Sequence, residues 1–170
     1  MMSLFKQTGL RWLWLAALVI LLDQLSKLAV LQWLPFGYPG QPLVPYINLV
    51  HVYNKGAAFS FLADQAGWQR WFFTLFALGV SGALLVWLRK LPAAARWSPI
   101  AYCLIIGGAL GNLIDRLAYG HVVDFIDFHV GQWHYPAFNL ADSAICVGAV
   151  MIVLEGLLFR RPQQAGDKPS

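Results

Sequence analysis

The stretch Phe138–Phe159, "FNLADSAICVGAVMIVLEGLLF", decides the fold. From Ala144 onward it is apolar except for Glu155. A helix of roughly 20 mostly apolar residues crosses the hydrocarbon of a bilayer. Yet Asn139 and Asp142 stand in its first turn, and an ionisable group at the edge of hydrocarbon is costly. The purpose of that carboxylate is the question the rest of the sequence has to answer.

Three other stretches share this character: Trp12–Leu34, Trp71–Leu88 and Trp97–Asp115. The chain of 170 residues is 59% hydrophobic and only 12% charged, about half the charge of a typical soluble domain. The charges fall in clusters between the apolar runs. These features predict an all-α polytopic membrane protein, a single domain over residues 1–170, with spans at about 12–34, 71–88, 97–115 and 138–159. Loops 35–70 and 116–137 connect the spans on the outer side, and a polar tail follows at 160–170. A small extracytoplasmic β-sheet is expected between helices 1 and 2. There "YINLVHVYN" (Tyr46–Asn54) is rich in β-branched and aromatic residues, and a Lys55-Gly56 turn leads into a second such run, "AAFSFL". The preceding "FGYPGQP" (Phe36–Pro42) reads as turns. The second outward loop also looks extended and semi-apolar, and is expected to pack on the membrane or on the first loop.

A formal charge of +4 could suggest nucleic acid, but its distribution excludes that reading. Lys6, Arg11, Arg89, Lys90, Arg96, Arg160, Arg161 and Lys168 lie at the termini or in the 89–96 connection, whereas the outward loops hold only Lys55, Arg70 and Arg116. Cytoplasmic loops carry the excess of Lys and Arg, so both termini are expected inside. Lys6 and Arg11 before an apolar run resemble a secretory leader, but Asp23, Gln24 and Lys27 follow where a small-residue cleavage site would be needed; the first helix is read as uncleaved. Cys103 and Cys146 lie within spans and are read as buried packing residues. Gly107 and Gly111 form a small-xxx-small pair suited to close helix packing.

Topology brings the polar groups together. Asp23 and Lys27 lie at i,i+4 toward the outer end of span one. Asn112, Asp115 and Arg116 end span three, Asp124 lies in the loop after it, and Asn139 and Asp142 begin span four. Each has a plain reading: a helix ion pair for Asp23–Lys27, a snorkelling anchor for Arg116, a first-turn cap for Asp142. Together, several ionisable groups at one membrane depth mark a functional site.

Three chemistries could use such a cluster. Two close carboxyls in a low dielectric share a proton, one serving as base toward water while the other hydrogen-bonds a carbonyl. A metal could use His121, Asp124, Asp127, His129 and His134, although their spacing is irregular. A Ser–Lys nucleophile would need Ser26-Lys27, neighbours that face different ways, or Ser143, with no evident lysine. The carboxylate-pair enzyme competes with a proton- or ion-coupled membrane transporter. Transporters keep their acids near the midplane and are built from internal repeats; here the acids sit at one face and repeats are absent.

Five motifs in order carry a resemblance: "DQLSK" (Asp23–Lys27), "YNKGAAFSFL" (Tyr53–Leu62), "GGALGNLIDR" (Gly107–Arg116), "VVDFIDF" (Val122–Phe128) and "FNLADSAI" (Phe138–Ile145). Together they resemble lipoprotein signal peptidase, the signal peptidase II family of aspartic peptidases. The resemblance implies a multi-pass enzyme of the bacterial inner membrane, both termini cytoplasmic, its active site near the periplasmic face. It implies prolipoprotein substrates with a diacylglyceryl-cysteine, cut just before that cysteine, no cofactor, contact with membrane lipids, and inhibition by the cyclic peptide globomycin. By the same resemblance the catalytic pair is Asp124 and Asp142. Asn54, Asn112, Arg116 and Asn139 fall on positions lining the substrate groove, and Asp23, Lys27 and Asp115 on supporting polar positions.

Overall fold

The structure, a computed structural model, describes Phe5, residues 7–56 and residues 68–158. The polar tail, Asp64 and the "AAFSFL" run lie outside the described residues. Four helices are long and apolar enough to cross a membrane. They are α1 (Leu13–Trp33), entered through a 3-10 turn at Gly9–Trp12, α2 (Trp68–Lys90), α3 (Trp97–Tyr119) and α4 (Leu140–Leu158). Half of the apolar window of α3 is buried within the protein, against 11–28% for the other three, so α3 is the central helix and the others pack around it.

Outward faces of the bundle are apolar: Leu21, Leu25 and Leu28 of α1, Leu75 and Phe76 of α2, and Val150, Val153 and Leu157 of α4 are all exposed. Hydrocarbon, not water, suits such a surface. The end of the bundle away from the sheet is a plain apolar core of Ala16, Leu84, Leu88, Cys103 and Ile106. Gly107 serves the close packing expected of it: a Cβ there would stand 2.7 Å from Val19 Cβ on α1. Cys103 is buried as expected, but Cys146 is exposed. Glu155 finds a partner at this end, accepting from Ser98 Oγ at 2.6 Å.

The sheet corrects the expectation of an all-α chain with strands confined to the connection between α1 and α2. Four antiparallel strands run in the order β1-β2-β3-β4. β1 (Gly37–Val44) and β2 (Ile47–Asn54) come from the first outward connection, and β3 (Val122–Val130) and β4 (Trp133–His134) from the second. The turn between β1 and β2 falls at Pro45-Tyr46, where Tyr46 has φ 70°; the expected turn from Lys55-Gly56 into "AAFSFL" leads into residues outside those described. β1 holds two prolines yet forms a strand, because it is the sheet edge, where a missing donor is tolerated. β2 then pairs with β3, with Val52 opposite Asp124 and Asn54 opposite Val122. Val123 and Phe125 pack on Val30 of α1, which seats the sheet on one end of the bundle.

Two connections complete the frame. α3 ends at Gly120, whose φ of 79° is the left-handed cap that stops the helix. Beyond β4 the chain returns to β3: Ile126 N–H donates to Phe138 O at 2.8 Å, and Phe138 N–H donates to Ile126 O at 3.0 Å. Asn139 follows at once and begins α4.

Candidate active site

Three elements converge where the sheet meets the bundle: the C-terminal end of α3, the start of β3 and the first turn of α4. Asn139 is the fully buried N-cap of α4. Its Oδ1 accepts from Asp142 N–H at 2.9 Å, and Asp142 Oδ2 accepts from Asn139 N–H at 3.3 Å. That reciprocal pair is a capping box, so the plain reading of Asp142 is present in the molecule. Its other oxygen is engaged elsewhere: Asp142 Oδ1 accepts from Asn112 Nδ2 at 2.8 Å.

Asp124 is 2% exposed and is reached from two sides. Asn139 Nδ2 donates to Oδ1 at 2.7 Å and Asn54 Nδ2 to Oδ2 at 3.0 Å. Asn54 and Asp124 are diagonal neighbours on one face of the β2–β3 ladder, which is why the strand register places that amide. Burial, with the Asp142 charge nearby, pushes the Asp124 carboxyl up to about 7, against the two amide hydrogen bonds that pull it down.

Behind the two aspartates lies a buried ion triad. Lys27 Nζ is 2.8 Å from Asp23 Oδ2 and 2.9 Å from Asp115 Oδ2, and it donates to Asn112 Oδ1 at 2.9 Å. All three ammonium donors are thus used. Arg116 takes a different place from an interfacial anchor. Its Nη2 donates to Gly56 O at 3.2 Å and its Nη1 to Asn112 O at 3.3 Å, and the guanidinium lies over the Phe73 ring at 5.0 Å.

A cavity of about 510 Å³ opens beside these groups. Asn54, Asn112, Arg116 and Asp142 supply its polar wall, and Phe138, Ile145, Cys146 and Val147 are among its apolar lining. Asp142 borders the cavity, whereas Asp124 does not; Asn54 lies across it.

The comparisons with known proteins agree with one another. The family model described as "Signal peptidase (SPase) II" matches residues 15–158. The lipoprotein signal peptidase of Aeromonas hydrophila is 67% identical over 163 residues, covering 96% of each chain. That of Tolumonas auensis is 58% identical over 93% of this chain and 96% of its own. The chain belongs to the signal peptidase II family. A solved structure titled as a bacterial membrane enzyme superposes with a TM-score of 0.77 at 28% identity, covering 94% of both chains. As a signal peptidase II the chain is a peptidase, and the transporter alternative falls.

In this signal peptidase II all nine residues singled out from the sequence lie in one connected region. Other candidates are placed elsewhere. Asp127 is fully buried in the sheet, where it accepts from Asn48 Nδ2 at 3.0 Å and pairs with His134 Nδ1 at 2.8 Å. Its carboxylate is thus committed to the sheet. His121 stacks on Tyr53 at 3.9 Å, and His129 on His134 at 5.3 Å. Ser26 Oγ donates to Asp23 O at 2.7 Å, and Ser143 Oγ to Asn139 O at 2.9 Å, and neither serine is paired with a lysine among the described residues.

Sequence reasoning missed Gln24. Its Nε2 donates to Asp115 Oδ1 at 2.9 Å and to Gly111 O at 3.2 Å. A neutral polar residue inside a span was the available signal. Gly111 was read as a packing glycine, but its missing side chain leaves room for a carboxylate: a Cβ there would lie 2.7 Å from Asp23 Oδ2.

Proposed function

We propose that this peptidase removes signal peptides from diacylglyceryl-modified prolipoproteins, cutting just before the lipidated cysteine, with Asp124 and Asp142 as the catalytic pair. The observation that carries the reading is the coupling of the two carboxyls through Asn139 and Asn112 beside a largely apolar cavity. Asp142 borders the cavity and is the base: it takes a proton from water as the water oxygen attacks the scissile carbonyl carbon. Asp124, shielded and raised to about 7, holds the shared proton and gives it to the carbonyl oxygen. The tetrahedral intermediate collapses as Asp142 passes its proton to the leaving nitrogen, the C–N bond breaks, and Asp124 recovers its own proton.

A signal peptide in lipid has its backbone hydrogen bonds already made, and unwinding it requires replacements. Asn54 and Arg116 supply them from the cavity wall. Since Asn54 lies across Asp124, a bound substrate draws this amide off the carboxyl and onto a backbone carbonyl. The lipid-facing exposure of α4 beside the cavity supports lateral entry of a diacylglyceryl chain, and the mixed lining supports occupancy by a cyclic peptide such as globomycin. Placement in the bacterial inner membrane, both termini cytoplasmic and the sheet periplasmic, is supported by the distribution of Lys and Arg. In a background lacking Cys146, a cysteine at Gln41 should react with impermeant thiol reagent in spheroplasts and one at Ala94 should not. The reverse pattern would invert the topology.

The central test is cleavage of a lipidated prolipoprotein by purified enzyme. Wild type should cleave with and without chelator, and Asp124→Asn and Asp142→Asn should each be inactive while folded. Residues acting as one unit are not additive, so the double variant should be no worse. Wild-type turnover by Asp142→Asn would return that carboxylate to its capping role, and chelator-sensitive cleavage would point to a metal.

A further inference from the structure

Lys27 takes no part in the proposed chemistry, yet its surroundings relate it to both catalytic aspartates. Each carboxylate it pairs with also grips a backbone N–H on another element. Asp23 Oδ1 accepts from Ala141 N–H at 3.0 Å, and Asp115 Oδ2 from Val123 N–H at 3.1 Å. Ala141 immediately precedes Asp142, and Val123 immediately precedes Asp124. Gln24 ties the two carboxylates to each other, donating to Asp115 Oδ1 at 2.9 Å and to Asp23 Oδ2 at 3.2 Å. The third arm of Lys27 reaches Asn112 Oδ1. Only the oxygen end of an amide can face an ammonium, so the NH2 end of Asn112 is left for Asp142.

We infer that Lys27, Asp23, Asp115 and Gln24 form a positioning clamp that sets the separation of Asp124 and Asp142 by holding the peptide unit before each of them. The inference rests on the dyad reading above. β3 and α4 are already joined by the Ile126–Phe138 pair and by Asn139, which donates to Asp124 Oδ1; the clamp adds a tie from one ammonium to the peptide unit directly before each aspartate. A catalytic constellation must be held to about 0.5 Å, and a peptide N–H one residue away is a short lever on each Cα. A buried ion triad that merely joined helices would have no reason to spend its remaining acceptors on these two positions. Lys27, Asp23 and Asp115 are 0–2% exposed, so water does not loosen the frame.

The test is steady-state cleavage of a diacylglyceryl-modified prolipoprotein by full-length purified Lys27→Met, Gln24→Leu and the double variant Lys27→Met/Asp115→Asn. Wild type and Asp124→Asn serve as positive and negative controls. The clamp predicts a fall in kcat of at least tenfold for Lys27→Met with KM within twofold. The double variant, which restores the net charge of the triad, should recover nothing. Recovery to the wild-type kcat would make Lys27 a counter-charge and overturn the clamp, as would a raised KM with kcat kept. If Lys27→Met does not fold, Gln24→Leu carries the test, because it leaves the ion triad whole: a threefold or greater loss of kcat at constant KM is expected, and wild-type kcat would refute the inference. Failure of the wild type itself to cleave would instead overturn the functional reading, and the clamp with it.

Discussion

The side-chain amide of Asn139 donates to Asp124 Oδ1 at 2.7 Å. The residue that caps α4 thus also donates to the strand carboxyl, and one side chain joins a helix terminus to the proposed catalytic aspartate. Asn139→Ala should cost about 1–3 kcal/mol of stability, from a lost cap and an under-satisfied buried carboxyl, together with most of the activity. Asn139→Ser keeps a capping oxygen but cannot reach Asp124, so it should regain stability without regaining turnover. Thermal unfolding and cleavage measured on both variants check the separation; recovery of both by serine would make Asn139 a cap alone.

Asp124 fixes a pH dependence. Its carboxyl is raised from 3.8 to about 7 by burial and by the Asp142 charge, so between those values the folded protein binds more protons than the unfolded chain. Stability therefore falls as pH rises from about 4 to 7 and is level above, a total of order 4 kcal/mol. Asp124→Asn should abolish this slope, gaining on wild type across the same interval in thermal unfolding. Cleavage by wild type should decline above about pH 7, where the pair loses its shared proton. A rate still rising at pH 9 would contradict the assignment of that proton to Asp124.

Arg116→Lys should be severe although charge is conserved. Two guanidinium nitrogens reach two carbonyls, those of Gly56 and Asn112, while the plane covers Phe73. A single ammonium cannot serve both carbonyls and the ring in that geometry. Turnover should fall at least tenfold; wild-type rate in the lysine variant would reduce Arg116 to an interfacial charge.

Asp127→Asn should remain active on the folded fraction but lose about 1–3 kcal/mol of stability. The carboxylate holds Asn48 and His134 within the sheet and, among the described residues, has no bond to the Asp124 cluster. Loss of turnover in folded Asp127→Asn, with retention in Asp124→Asn, would exchange their roles.

The spans were legible because a membrane imposes a length of apolar residues that soluble proteins seldom match. Seven of the polar residues, Asp23, Lys27, Asn112, Asp115, Arg116, Asn139 and Asp142, were legible because polar groups within or at the ends of such spans are conspicuous; Asn54, and the pairing of Asp124 with Asp142, came from the resemblance alone. The sheet was harder. Gly37–Val44 reads as turns by its glycines and prolines, and becomes a strand only because β2 is there to pair with it at an edge. The β2–β3 pairing joins residues about 70 apart, and no local pattern announces it. Cys146 was misplaced because apolar periodicity in a membrane does not tell a lipid-facing side from a buried one. The grips on Val123 and Ala141 were invisible for a different reason: a backbone N–H is the same in every residue but proline.

The paired hydrogen bonds between Ile126 and Phe138 have a consequence for how this enzyme can vary. They cinch the chain at the base of the β3–β4 hairpin, so the end of that hairpin leaves the sheet and returns to it at one fixed place. Asp124 lies just before that cinch and Asp142 just after it. The tip at Gly131-Gln132 is therefore an appendage: lengthened, shortened or exchanged, it leaves the spacing of the two carboxyls untouched. The outer surface of the protease is free to diverge at this point while its chemistry stays in register.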